Sequence, residues 1–290
     1  MIIVSGANGK LGRAVVERLL RRVGPDRIGV CVRDAERARG LAERGVRVRQ
    51  GDFADEGSLA HAFEGASRVL VVSVDNSGET AVRLHETAIN AAGKAGAERV
   101  VYTSHVGSNP SSPFAPMVDH AATEVVLRES GLAFTSLRNG FYASTVAMLL
   151  GGAAETGELA APEDGPVSWT SHDDLAEAAA LALTEDVFDG VTPALTGPVA
   201  VDLAEVAAIA SEVTGRPIRR VVVSDDDYRA GLVAHGLPEH VADLLVGMFA
   251  ASRQGEFARV DPALAGLIGR PTVPLRDVLE ARPRSADLAQ

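Results

Sequence analysis

Glycines 6, 9 and 12 stand where three glycines can do chemistry. The stretch Gly6-Ala7-Asn8-Gly9-Lys10-Leu11-Gly12 follows the β-branched run Ile2-Ile3-Val4. It opens a helical pattern with apolar residues at Val15, Val16, Leu19, Leu20 and Val23. A strand that breaks through a glycine turn into a helix presents the helix's first N–H groups without intrahelical partners. The helix dipole adds partial positive charge there, so the turn suits a phosphate. In this G-x-x-G-x-x-G spacing Gly6 permits the tight turn, Gly9 the close approach of a pyrophosphate, and Gly12 close packing of helix on strand. Glycine also marks ordinary turns, and it is the strand before and the helix after that make this a dinucleotide-binding reading.

Further polar residues fall at strand ends. Arg33 closes the second predicted strand, 21 residues after Gly12, where NAD-selective proteins keep an acid for the ribose hydroxyls. An arginine suits the 2′-phosphate of NADP instead, and Arg37 one turn on could assist. Asp34 could still take a ribose hydroxyl, and the alternative for Arg33 is a solvated loop position. Asp52 could accept from the adenine amino group with Phe53 against the ring, or serve the turn before the next helix. Ser73 and Ser104 end the fourth and fifth strands, a place that suits cofactor contacts and ordinary strand ends alike.

Composition narrows the classes. The chain has 290 residues, 46% hydrophobic, enough for one large domain or one and a half. Its net charge of −11 argues against a nucleic-acid surface. The one cysteine, Cys31, cannot form an internal disulfide and reads as a small buried apolar residue. Seven histidines show no H-E-x-x-H spacing, so no metal site is expected, and no G-x-S-x-G elbow supports a hydrolase. No membrane-length apolar run occurs and the first strand begins at Met1, from which a soluble, cytoplasmic protein is expected.

The elements that position these residues alternate. Strands are expected at 28–32, 46–50, 69–73, 99–104 and 132–138, with helices between them, including 80–95 and 117–130. That is an α/β, doubly wound parallel-sheet Rossmann domain over residues 1–140, its ligand site at the strand C-termini. Residues 141–282 are expected to form a smaller α-rich lobe, part of it returning to the sheet. Helices are predicted at 145–151, 175–183, 202–214, 225–235 and 239–249, a strand at 218–223, and a glycine- and proline-marked loop at 157–165. Ser171 or an aspartate caps the helix that begins near His172. The apolar stripe Val146, Leu149, Leu150 reads as core rather than pocket. Residues 283–290 read as a frayed tail.

Several stretches carry a family resemblance. Gly6 to Gly12 looks like the GATGxLG opening of the NmrA-like atypical short-chain dehydrogenase/reductases. Val32-Arg33-Asp34, Gly51-Asp52-Phe53, Arg99 to Ser104 and Leu137-Arg138-Asn139-Gly140-Phe141-Tyr142 match further stretches in order. His120-Ala121-Ala122-Thr123-Glu124 with Ser130-Gly131-Leu132 is similar to the NADPH-dependent quinone oxidoreductase and triphenylmethane reductase branch. The resemblance implies NADP(H) as cofactor. It places Gly6, Asn8, Gly9, Lys10, Leu11 and Gly12 at the pyrophosphate, Arg33 at the 2′-phosphate, and Asp52 and Phe53 at adenine. It puts Ser73 and Ser104 along the ribose–nicotinamide path and Asn139, Gly140 and Phe141 beside the nicotinamide. Asp119 departs from relatives that carry lysine before this histidine, so a lysine role near the ribose is lost.

Typical short-chain dehydrogenases use a tyrosine with a lysine four residues on. Here the residues four after Tyr102, Tyr142 and Tyr228 are Val106, Val146 and Leu232, so that pair is absent. Catalysis would then rest on proximity of the nicotinamide to an electron-poor acceptor that needs little acid assistance. Tyr142 and His120 are the local donors nominated, with a plain helix residue the alternative for His120. The expected function is hydride transfer from NADPH to a small-molecule acceptor, a quinone or similar delocalised ring. The alternative is a catalytically silent NADP-binding redox sensor of the NmrA type. An exposed apolar helix would add a homodimer.

Overall fold

The computed structural model describes residues 1–281, so the tail expected from Pro283 lies outside the described residues. The first half alternates strand and helix: β1 Ile2–Ser5, α1 Lys10–Leu19, β2 Ile28–Val32, α2 Arg39–Ala42, β3 Arg47–Gln50 and α3 Glu56–Phe63. It continues with β4 Arg68–Val71, α4 Glu79–Lys94, β5 Arg99–His105, α5 Ala115–Glu129 and β6 Ala133–Asn139. The second half holds α6 Ser144–Leu150, α7 Ala153–Thr156, β7 Glu158–Ala161, α8 His172–Thr184, β8 Gly190–Val191 and α9 Leu203–Thr214. β9 Arg219–Val222, α10 Asp225–Ala234, α11 Glu239–Arg253, α12 Ala263–Ile268 and α13 Leu275–Glu280 complete it.

Seven strands form one sheet in the order β3-β2-β1-β4-β5-β6-β8, every neighbouring pair parallel. Helices on both faces bury it, which is why β1 and β2 are buried at every position rather than alternating. One face packs on α1 and α8 through Val15, Val16, Leu19, Leu175 and Ala179. The other packs on α3, α4 and α5 through Leu59, Phe63, Ala88, Ile89 and Leu127. Strand order reverses between β1 and β4, so the crevice at their carboxyl ends is the topological switch point where such sheets bind ligands. The doubly wound Rossmann reading is thus the observed fold.

The remaining residues gather around a third core with Trp169, Val206, Met248, Phe249 and Phe257. Part of this half returns to the sheet: β8 extends it beyond β6, and α8 lies along α1 with Glu177 paired to Arg18 and Arg22. Two features differ from the sequence reading. Residues 158–161, expected within a loop, form β7, which pairs in parallel with β9 as a separate two-stranded sheet. Four residues flanked by Gly157 in the left-handed region and by Pro162 give no periodicity to read; only β9 makes them a strand. Between β2 and β3, where a helix is expected, the chain forms a 3₁₀ turn followed by the four-residue α2.

Candidate functional site at the switch point

At the end of β1 the chain turns through Gly6, whose φ of 63° is left-handed and favours glycine. Gly9 N–H closes the turn on Gly6 O at 2.9 Å, and α1 begins at Lys10. No acidic residue occupies the first turn of α1, and among the described residues no protein acceptor takes the amides of Lys10, Leu11 and Gly12. A Cβ on Gly12 would lie 2.4 Å from Gly6 O, so Gly12 is the helix-packing glycine. Gly9 is different: its backbone is extended, and an added Cβ would meet only Gly6 O, at 3.2 Å. Gly9 and Lys10 are exposed, whereas the Leu11 side chain lies in the core and can offer a ligand only its backbone.

Asn8 ties this turn to the end of β2. Its Nδ2 donates to Asp34 O at 2.7 Å, and its Oδ1 is buried without a partner. The Asp34 carboxylate accepts from Glu36 N through Oδ1 at 3.0 Å, starting the 3₁₀ turn. Arg33 is exposed, with no ion pair among the described residues, and Arg37 is also exposed. Asp52 accepts from Ala54 N at 2.9 Å, while the cap of α3 is Asp55, so Asp52 is a turn residue and not the helix cap. Phe53 is half-buried against the α3 side of the core. Burial pushes the Cys31 thiol up to about 12, as befits an inert buried residue.

At the ends of β4 to β6 the named residues separate. Half-buried Ser73 is held by Thr103: its N–H donates to Thr103 Oγ1 at 2.8 Å, which donates to Ser73 Oγ at 3.2 Å. Ser104 is 3% exposed and its hydroxyl donates to Glu124 Oε1 at 2.8 Å, which turns it towards α5. Burial alone would push the Glu124 carboxyl up, but bonds from Arg138, Ser104 and Ser136 outweigh this and hold it below its ordinary value. Asn139 is 1% exposed with its Oδ1 unpartnered. Gly140 is a crossing point: a Cβ there would stand 2.2 Å from Thr170 Oγ1, and its N–H donates to Leu195 O at 2.7 Å. Phe141 packs edge-on against His105, Trp169 and Phe257. An apolar cavity of about 20 Å³ beside Phe141, Leu149, Trp169 and Phe257 has room for about one water and is too small for an acceptor.

Tyr142 stacks on His172 at 4.4 Å, and burial pushes its phenol up to about 12. His172 opens α8 beside Ser171, whose hydroxyl caps the helix by accepting from Asp173 N. Burial, then the charge of Lys10, pull His172 down to about 4. Sequence spacing does not single out His172; the backbone bridge between Tyr142 and Thr170, two residues before it, brings the two rings together. Half-buried His120 hydrogen-bonds through Nδ1 with the Tyr102 hydroxyl at 2.8 Å and lies near-parallel to His105 at 6.2 Å. Burial lowers His120 to about 4, and His85 and His105 to about 3. The carboxyl ends of β4 to β6 therefore carry neutral imidazoles and phenols. Among the described residues no cluster of His, Cys, Asp or Glu could hold a metal.

A helix N-terminus with open amides, a glycine cradle at the switch point, an unpaired arginine and two orphaned carboxamide oxygens fit a dinucleotide. The architecture is that of a Rossmann-type nucleotide-binding protein. The chain belongs to the NAD(P)H-binding family, whose model matches residues 6–186. It is 34% identical over 278 residues to quinone oxidoreductase 2 of Escherichia coli (strain K12), covering 96% of each chain. The structure of the NADPH-dependent quinone oxidoreductase of Escherichia coli complexed with NADPH superposes with a TM-score of 0.91 at 32% identity, covering 96% of this chain and 98% of that one. The triphenylmethane reductase of Citrobacter sp., complexed with NADP(H), gives 0.89 at 32% identity, covering 97% and 99%. These likenesses bear out the resemblance read from the motifs. Among the described residues no helix is long and apolar enough to cross a membrane.

Proposed function

We propose that this NAD(P)H-dependent reductase uses NADPH and reduces a quinone or similar delocalised cyclic acceptor. The observation that carries the reading is the neutrality of the acceptor end. His105, His120, His172 and Tyr142 are all held uncharged near neutral pH by burial, and no tyrosine is followed by a lysine four residues on. A site without a charged acid suits an acceptor whose electron affinity already favours hydride, because the reduced oxygen can be protonated by water. When bound, the nicotinamide supplies that hydride.

The chain's own residues bind and orient. The open amides of Lys10, Leu11 and Gly12 with the α1 dipole receive the pyrophosphate. Arg33 receives the 2′-phosphate as a charge-assisted, bidentate donor, and Asn8 keeps the two subsites in register. Asp52 and Phe53 border the adenine, Ser73 the ribose path, and Asn139 and Phe141 the nicotinamide. Tyr142 and His172 wall the space between the phosphate turn and β6.

Steady NADPH consumption with a panel of benzo- and naphthoquinones, absent without protein, tests the reading. Tight NADPH binding with no turnover of any quinone would replace it with the silent redox-sensor alternative.

A further inference from the structure

The hydrogen bonds behind His120 start from a neighbouring ring whose proton can be located. A backbone N–H only donates, and Val74 N–H donates to His85 Nε2 at 3.0 Å. His85 Nε2 is therefore bare, and the proton of this neutral, buried ring is on Nδ1. That Nδ1–H donates to Thr123 Oγ1 at 2.9 Å, and Thr123 in turn donates to Asp119 O at 2.8 Å. The Tyr102 oxygen lies 3.5 Å from the same protonated Nδ1, so Tyr102 cannot place its own proton there. Its 2.8 Å contact is with His120 Nδ1, and Thr123 is the other polar side chain beside it. With the Tyr102 hydroxyl donating to His120, Nδ1 is the acceptor and the proton of the neutral ring sits on Nε2, which is the arrangement proposed here. Among the described residues no acceptor takes that Nε2–H.

The ring sits at the carboxyl ends of β5 and β6. His120 lies parallel to His105, the last residue of β5, which is in register with Asn139 at the end of β6. Neighbouring Asp119 accepts from Gly78 N at 2.9 Å, in the segment between β4 and α4. We propose that His120 presents a fixed Nε2–H to the acceptor's carbonyl oxygen, and that Tyr102 is the positioning residue that holds this tautomer. This rests on the reductase reading above. As hydride reaches the acceptor ring, an electron pair moves onto the carbonyl oxygen. His120 Nε2–H donates to the growing charge without giving up its proton, and water supplies the proton that completes the hydroquinone. The acceptor is reduced by two electrons, the nicotinamide is oxidised, and His120 and Tyr102 end as they began. A neutral donor already in place costs no reorganisation during the step.

Two readouts test this. Long-range ¹H–¹⁵N correlation on histidine-labelled protein, without cofactor, is expected to show His120 protonated at Nε2 and bare at Nδ1; the opposite tautomer overturns the proposal. Tyr102→Phe is expected to populate both tautomers and to lower kcat about 3- to 30-fold with KM little changed. His120→Ala is expected to lower kcat by about 10²-fold, the usual cost of one preorganised donor, and His120→Gln to recover part of it. Full kcat in a folded Tyr102→Phe, with only a lower melting temperature, makes the bond purely structural and overturns the positioning role. Full kcat in His120→Ala overturns the donor role. Failure of the reductase reading looks different: the unmodified protein turns over no quinone, the donor role falls with it, and the NMR measurement still decides the tautomer.

Discussion

Asn8 Nδ2 donates to the Asp34 carbonyl at 2.7 Å, and that bond fixes the phosphate turn against the segment carrying Arg33. The glycine turn and Arg33, proposed above to receive the pyrophosphate and the 2′-phosphate, are thereby set in one geometry. Asp34, the residue that could have reversed the cofactor preference, spends its carboxylate on Glu36 N.

Cofactor choice follows from this arrangement. NADPH is expected to bind more tightly than NADH, and Arg33→Ala to remove a charge-assisted bond of about 1.5–3 kcal/mol. The preference should fall by about one to two decades, read from fluorescence titration with both cofactors. Equal affinity of the unmodified protein for NADPH and NADH would remove Arg33 from the site.

The glycines of the turn are expected to separate by function. Gly9→Val adds a Cβ that meets only Gly6 O, at 3.2 Å, on an extended backbone, so it should keep most of the fold and abolish detectable NADPH binding. Gly12→Ala forces a Cβ to 2.4 Å from Gly6 O, and such overpacking costs about 1–3 kcal/mol, visible as a lower Tm without cofactor. Unchanged NADPH affinity in Gly9→Val would place the pyrophosphate elsewhere.

Tyr142 is expected to be a wall. Its phenol is held near 12 and stacks on His172, so Tyr142→Phe should change kcat by less than about tenfold and act mainly on KM. Simple alcohols with NADP should show no measurable oxidation. Loss of a general acid lowers rates by about 10²–10⁴, so a thousandfold fall in kcat at constant KM would show Tyr142 to be one.

Buried histidines also give the fold a pH signature. His85 and His105 are held near 3, against an ordinary value near 6.5. As pH falls through about 6.5 the unfolded chain binds protons at these rings and the folded chain does not, so stability is lost between pH 6.5 and 3. Each ring contributes up to about 1.4 kcal/mol per pH unit well below 6.5. Urea unfolding at pH 5 should therefore give a free energy at least about 2 kcal/mol below that at pH 7. A pH-independent value over this range would show that the rings take up protons in the folded state.

The sequence by itself determined the Rossmann half. β-Branched runs, glycine spacing and 3.6-residue periodicity are local signals, and they located β1, the phosphate turn, α1, β2 and β5 to within a few residues. Arg33 could be singled out too, because its place at the end of β2 follows from distance along one β-α-β unit. Contacts made across the fold were not legible. β7 exists only because β9 lies beside it, and Gly140 is required by Thr170, thirty residues later. Ser104 looked like any strand-end serine until α5 placed Glu124 against it. His172 meets Tyr142 only because Thr170, two residues earlier, bridges to Tyr142 across the fold. His85, Tyr102 and His120 come from one helix, one strand and another helix, and the proton position they define is a property of their packing. Periodicity records which face of an element is buried; which side chain it then meets is decided by long-range packing that no local spacing encodes.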